Sequence, residues 1–414
     1  MIHASKFQPQ ITPLNGPALP MTISRAQAMD PTGALNRQKI NEIGRLETVG
    51  WVKKTPTIGY KMTQMEYGSF DFWRNITNSE ASVQKVTETN FRIAKFDICA
   101  FLTDDDGSFR GTLLYPTLRT VGFDLNIGNP DATIERTFNF VGEKSVIFRG
   151  TAPYFVNVDK TAAASGDNVI DCSTRVPTIN PDVPVSFSEA KKYIFRVMRT
   201  RAGISTLLLP DEDYSYSSVT KEVTIIGCEP ADFYRVFYAT ATAPATLFTP
   251  NDVDAAGLNA DTASIYLYIP ASGEPTSQAY VYRLQSVSIA VAFTRSDLKE
   301  IGNPDIVQFG INEYKVTVKL GRILEKFTIE EVLRGAGANY PVIDVSKLSN
   351  NVSLIVKIFT DNTKETLSYG MKFDKLSPTD ISQGAAANQY VKADNTLEGE
   401  TFTISQVNSD LGGL

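Results

Sequence analysis

The chain is 414 residues long, 42% apolar and 21% charged, proportions of a globular protein larger than one hydrophobic core usually organises. Its 46 acids against 40 bases leave a net charge of −6, too mild for a membrane or nucleic-acid surface, and no basic cluster marks a nucleic-acid groove. Cys99, Cys172 and Cys228 follow no metal-ligand spacing, so a reducing compartment is expected, with Cys172 and Cys228 left as a candidate pair.

The opening MIHASKFQPQITPLNGPALP has neither a basic start nor an apolar core, and no later stretch offers ~18 uninterrupted apolar residues. A soluble intracellular product without a membrane span is expected, and residues 1–20, rich in proline, read as an extended arm. From Leu35 the chain reads LNRQKINEIG, followed by a strand, IGYKM, and a short helix in GSFDFWRNI, where Phe70, Trp73 and Ile76 recur every third residue. KFDICAFLTDDDGSFRGTLLY then reads as a hairpin, VGFDLNI as a strand alternating Val121, Phe123, Leu125 and Ile127, and TIERTFNF as a closing strand.

Residues 150–272 have a different texture. KKYIFRVMRT, LLLPDEDYSYSSVTKEVTIIG and ADFYRVFYATAT are strands separated by Pro and Gly turns, the pattern of an independent small sandwich. Alternation then resumes with Val287, Ile289, Val291 and Phe293, with Tyr314, Val316, Val318 and Leu320, and with Leu367, Tyr369, Met371 and Phe373. A second short helix is signed by Thr328 and Glu331 at capping-box spacing, by the stripe Ile329, Val332 and Leu333, and by a stop at Gly335.

FTRSDLKEIG, starting at Phe293, repeats the pattern of LNRQKINEIG at an offset of 302 − 44 = 258 residues between the two glycines. The match continues in order: Trp51 with Phe309, IGYKM with VTVKL, helix with helix, KFDICAFLTDDDGSFRGTLLY with VSLIVKIFTDNTKETLSY, and TIERTFNF with TLEGETFTI. The expected organisation is an arm at 1–20, one copy of a β-domain with a flanking short helix at 21–149, an inserted sandwich at 150–272, and a second copy at 273–414. The fold class is mainly β.

Little in the sequence carries chemistry. The only histidine is His3, in the arm, which removes Ser-His and Cys-His nucleophile pairs and His-based metal sites. Asp104, Asp105 and Asp106 lack the alternating ligands of a calcium loop, and their counterparts Asp361, Asn362 and Thr363 keep turn chemistry while losing charge, so a hairpin turn is the expectation. RGAGANY lacks the spacing of a nucleotide loop and reads as a helix stop. The 23 Phe, 17 Tyr and 2 Trp fall mostly on the apolar phase of strands and are expected in cores. No catalytic, cofactor-binding or metal-binding residue is singled out, and no enzyme is expected.

Two stretches, NEIGRLETVGWVKKTPTIGYKMTQMEYGSFDFWRNI and QSVSIAVAFTRSDLKEIGNPDIVQFGINEYKVTVKL, make the chain resemble the major tail tube proteins of long-tailed bacteriophages. The resemblance implies a β-sandwich with a flanking helix whose inner sheet joins its neighbours in a ring around a channel for DNA. With two tube domains per chain, three chains would supply a ring of six. It further implies a homotrimeric, pseudo-hexameric ring stacked into a tube, assembled in the host cytoplasm and located in the virion tail. Its partners would be tape measure, baseplate, terminator and, in a contractile tail, sheath proteins, with genomic DNA passing unbound by sequence and no membrane contact. The insert resembles the immunoglobulin-like decorations of phage tail proteins. Two other classes remain open at this point: a carbohydrate-binding or adhesin protein of the tail or baseplate, and a tail-associated hydrolase using an acid pair.

Overall fold

The computed structural model describes residues 7–412 apart from 15–17, 19, 35–36, 41–49, 54–56, 105, 107, 129–131, 143, 151–153, 174–194, 203, 218, 244–256, 269–278, 282–283, 300–305, 325–329, 331–350 and 385–389. The two EIG segments, the RGAGANY stretch, His3 and all of the second helix except Glu330 therefore lie outside the described residues.

The first part of the chain forms β1 (Phe7–Pro13), β2 (Met21–Thr22), β3 (Ala26–Ala34), β4 (Arg37–Ile40), β5 (Gly50–Lys53), β6 (Thr57–Met65), α1 (Asp71–Ile76), β7 (Lys85–Thr87), α2 (Glu88–Ile93), β8 (Phe96–Thr103), β9 (Phe109–Ile127), β10 (Glu135–Gly142) and β11 (Val146–Phe148). The middle forms β12 (Tyr154–Thr161), β13 (Val169–Asp171), β14 (Phe195–Arg201), β15 (Ile204–Leu207), β16 (Tyr214–Ser217), β17 (Glu222–Ile225) and β18 (Phe233–Thr240). The last part forms β19 (Ala263–Tyr268), β20 (Ala279–Tyr280), β21 (Leu284–Lys299), β22 (Ile306–Ile323), β23 (Val352–Phe359), β24 (Leu367–Gly384), β25 (Lys392–Gly399) and β26 (Thr401–Ser405). The chain is mainly β, and no described helix is long and apolar enough to cross a membrane.

The first and last parts pair their strands in the same order. In the first, β3 pairs with β6, β6 with β10, and β10 with the second half of β9, while the first half of β9 pairs with β8 and β11, and β8 with β1. In the last, β21 pairs with β22, β22 with β25, and β25 with the second half of β24, while the first half of β24 pairs with β23 and β26, and β23 with β19. Registers agree as well: Tyr60 faces Pro31 and Val318 faces Ile289, both partners displaced by 318 − 60 = 258 and 289 − 31 = 258 residues.

Each long strand must turn from one sheet into the other, and both do so at a left-handed residue, Thr117 (φ 56°) and Lys375 (φ 57°), again 258 apart. Gly142 and Gly399 sit under these bends in matching surroundings. A Cβ on either would lie 2.8 Å from Leu118 or Leu376, so both glycines are fixed by close approach. A left-handed backbone costs an L side chain ~1–2 kcal/mol. Lys375 is exposed and packs little, so Lys375→Gly should raise stability by roughly 0.5–1 kcal/mol, read as a shift in the denaturant midpoint.

The two copies are not separate bodies. The second half of β9 also pairs with β21, from Val287 opposite Ile127 to Ala292 opposite Gly122. This joins the copies into one antiparallel sheet of order β3-β6-β10-β9-β21-β22-β25-β24, the long sheet. Beneath it lie two short sheets: one built on β1, β8, β11 and the first half of β9, the other on β19, β23, β26 and the first half of β24. β7 of the first copy pairs with β26 of the second. A single apolar core runs through both copies; α2 plugs it with Phe91, whose ring lies 5.5 Å from Phe293 and 5.6 Å from Phe402.

The insert is two small sheets, β12-β18-β14-β15 and β13-β17-β16, closed around Val197, Val223, Tyr234 and Val236. Cys99, Cys172 and Cys228 are buried and free, so the candidate pair Cys172 and Cys228 is not bonded.

Three sequence expectations change, and one helix was not expected. Residues 7–13 are not an arm but a strand paired with β8 along its whole length. The prolines are tolerated because Pro9 directs its carbonyl away from β8, to Ile23 N at 2.9 Å, and Pro13 directs its carbonyl to Arg235, so the missing N–H groups take nothing from the ladder. Ala263–Tyr268 belongs to the second copy, not the insert, since it pairs with β23 as β1 pairs with β8. The counterpart of TIERTFNF is Lys392–Gly399, while the apolar TFTI lies in β26 and corresponds to β11; only Ala393 and Leu397 give β25 an apolar phase. The helix α2 carried no apolar stripe; a capping box of Thr87 and Asn90 starts it.

Candidate assembly interface

The long sheet has one dry face and one open face, as its period-two pattern requires. Ile58, Tyr60, Met62, Phe123, Leu125, Phe138, Ile289, Val291, Val316, Val318 and Leu397 point into the core. The alternate positions point out and, apart from Ala28, Met65, Val141, Ala290 and Ala292, are mostly polar or glycine. Among the described residues they carry the acids Asp30, Asp124, Glu135, Glu313, Asp380, Asp394 and Glu398 against Lys61, Arg119, Lys315, Lys319 and Lys392, seven against five, a net charge of 5 − 7 = −2. Partial burial lifts the Asp124 carboxyl above the usual range, with Lys61 and Asn139 acting against this.

The layers are ordered. On β8, Phe96, Ile98 and Ala100 alternate with Cys99 and Phe101; Phe96 and Ile98 face the common core, while Cys99 and Phe101 meet Phe155, Met198 and Phe237 of the insert. The insert therefore lies on the far side of a short sheet from the open face of the long one. Two buried arginines fasten it: Arg196 pairs with Asp97, and Arg235 donates to the carbonyls of Pro13 and Ala18 (2.5 and 2.9 Å) while holding Asp159. In the second copy Leu411 and Tyr268 cover the equivalent face at Ile355.

A buried polar cluster locks the copies together. Glu66 accepts from Tyr67 N, from Gly68 N and from the Tyr369 hydroxyl (3.0, 2.8 and 2.6 Å), and stands 3.0 Å from the Arg136 guanidinium, both charges fully buried. Arg136 also donates to Gln64, and the rings of Tyr67, Phe72, Trp73 and Phe138 surround it at 5.3 to 5.7 Å. Burial, then the Glu66 charge, pushes the Tyr369 phenol well above its usual range, which keeps it a neutral donor. Arg74 to Gln406 (2.6 Å) and Ser405 to the carbonyl of Gln84 (3.1 Å) are further ties between the copies. One sequence signal marks these groups: Gln64 and Arg136 occupy the apolar phase of their strands.

Asp104 and Asp106 serve the hairpin turn. Asp104 pairs with Arg110, Asp106 accepts from Ser108 N at 2.8 Å, and Asp361 accepts from Thr363 N in the matching turn. Hydrogen bonding to Arg110 holds the Asp104 carboxyl below its usual range, as bonding to Ser108 does for Asp106. Among the described residues no group of three or more His, Cys, Asp or Glu could hold a metal ion. Most of the described aromatic residues are buried, Trp73, Phe72, Phe91 and Phe96 fully, while Tyr390 is exposed.

The two edges of the long sheet remain without a neighbour among the described residues. β3 pairs only with β6, and the second half of β24 only with β25. Asp30, Pro31, Thr32 and Gly33 are exposed on the first edge, and Asp380, Ser382, Gln383 and Gly384 on the second. Such edges invite pairing by another chain.

No protein-family model and no curated protein matches the chain. Solved structures that match include a chain of the anti-feeding prophage baseplate, determined by electron cryo-microscopy and six-fold symmetrised, with a TM-score of 0.26, 11% identity, and coverage of 35% of this chain and 93% of that one.

Proposed function

We propose that this chain is a structural protein of a phage tail, a tube subunit that closes into a three-chain ring and stacks around a channel for DNA. The observation that carries this reading is the long sheet. It already joins two copies of one unit edge to edge, and it ends in the same two kinds of edge that it has joined internally. A unit that pairs with its own copy and keeps both outer edges open adds copies until the rotation closes. Closure leaves no edge exposed.

The acid excess on the open face suits a channel wall, because phosphate is repelled there and slides without sticking. The insert, held across a short sheet from that face, decorates the outside as an immunoglobulin-like domain would. Sedimentation of the purified chain tests the reading: a species of three chains, or polymers of it, is expected, and a monomer at all concentrations would contradict it.

A further inference from the structure

We infer that the seam between neighbouring chains pairs β3 of one with the second half of β24 of the next in a fixed register: Asp30 opposite Gly384, Pro31 opposite Gln383, Thr32 opposite Ser382, Gly33 opposite Ile381 and Ala34 opposite Asp380. This rests on the ring reading and adds the residue contacts. The register follows from the copy of the seam already present inside the chain. Ser288 faces Asn126, Ala290 faces Asp124 and Ala292 faces Gly122. β3 is the counterpart of β21, because Pro31 faces Tyr60 as Ile289 faces Val318. The second half of β24 is the counterpart of the second half of β9, and both carry the same bulge against their neighbour: Thr120 faces Phe140 and Gly122 faces Asn139, while Pro378 faces Leu397 and Asp380 faces Thr396. Moving each strand by 258 residues turns the internal pairs into the pairs named.

Burial on the two sides agrees with this. Phe123 is 1% exposed because β21 covers it; its counterpart Ile381 is half-buried at an open edge, as a side chain awaiting that cover would be. The fit also trades a glycine across the seam. Inside the chain a Cβ on Gly122 would lie 2.5 Å from the Val291 carbonyl oxygen. At the seam Asp380 takes the place of Gly122, and the residue in the place of Val291 is Gly33, whose backbone is free to turn its carbonyl aside. Pairing between strands of period two permits no slip of one residue, which would set the inward residues of one strand against the outward residues of the other.

Paired cysteines test the register. Cross-strand neighbours lie at Cα separations of ~4.5–5.5 Å, within disulfide reach. Thr32→Cys with Ser382→Cys, oxidised in the assembled full chain, should give dimers and trimers on a non-reducing gel. Either single variant, and Thr32→Cys with Gln383→Cys, should give none. Cross-linking of Thr32→Cys to Asp380→Cys or Gly384→Cys in place of Ser382→Cys would overturn the register while leaving edge pairing and the ring intact. Assembled rings that cross-link at none of these pairs would place the seam elsewhere. A chain that never assembles would overturn both the seam and the ring.

Discussion

Arg136→Ala should destabilise the folded chain by about 3–5 kcal/mol, the usual result of removing one partner from a fully buried ion pair. Glu66 would keep Tyr67 N, Gly68 N and the Tyr369 hydroxyl as donors but would lose the only cation beside it among the described residues. The four rings around Arg136 would also lose their filling. Urea denaturation followed by tryptophan fluorescence measures this, since Trp73 packs 5.7 Å from the guanidinium. The double variant Glu66→Gln with Arg136→Met should recover much of the loss, because no buried charge is then left alone. Equal stability of Arg136→Ala and the unaltered chain would show that the pair does not lock the copies.

Deleting residues 1–18 should abolish cooperative unfolding of the whole first copy and not only its assembly. The deletion removes β1 from β8 over seven residue pairs, takes Ile11 from the core and Leu14 from the contact with the insert, and strips Arg235 of the Pro13 and Ala18 carbonyls. Arg235 would keep Asp159 but lose two carbonyl acceptors, and each buried N–H left unsatisfied costs ~1–3 kcal/mol. A sharp melting transition in the truncated chain, at the temperature of the full one, would show that β1 adds nothing to the fold. The same contacts bear on the insert, whose removal would leave Asp97 with Thr117 N but without its arginine and would bare Cys99, Phe101 and Leu114.

Much of this architecture is legible in the sequence because half-buried strands alternate. Val287 to Phe293 and Tyr314 to Leu320 read as strands and are strands, and Phe70, Trp73 and Ile76 read as one helix face and are buried together. What was illegible has definite physical causes. β1 hides behind two prolines whose backbone faces away from the ladder, and β25 hides behind Asp394, Thr396 and Glu398 on the open face. The apolar phase of β10 contains an arginine, which marks Arg136 as unusual but does not name Glu66, 70 residues earlier, as its partner. The joining of the copies through β9 and β21 is a tertiary pairing between two strands that each look complete alone. The candidate interface was the least legible part, because an open edge differs from a paired one only in what lies beside it.

Electron cryo-microscopy of the purified full chain addresses the central claim most directly. The ring reading expects a closed ring of three chains with pseudo-six-fold inner symmetry, its wall a barrel of 3 × 8 = 24 strands with β3 of each chain against β24 of the next. The inserts should project from the outer surface. A stable monomer at high concentration, or a ring of six chains, would contradict it.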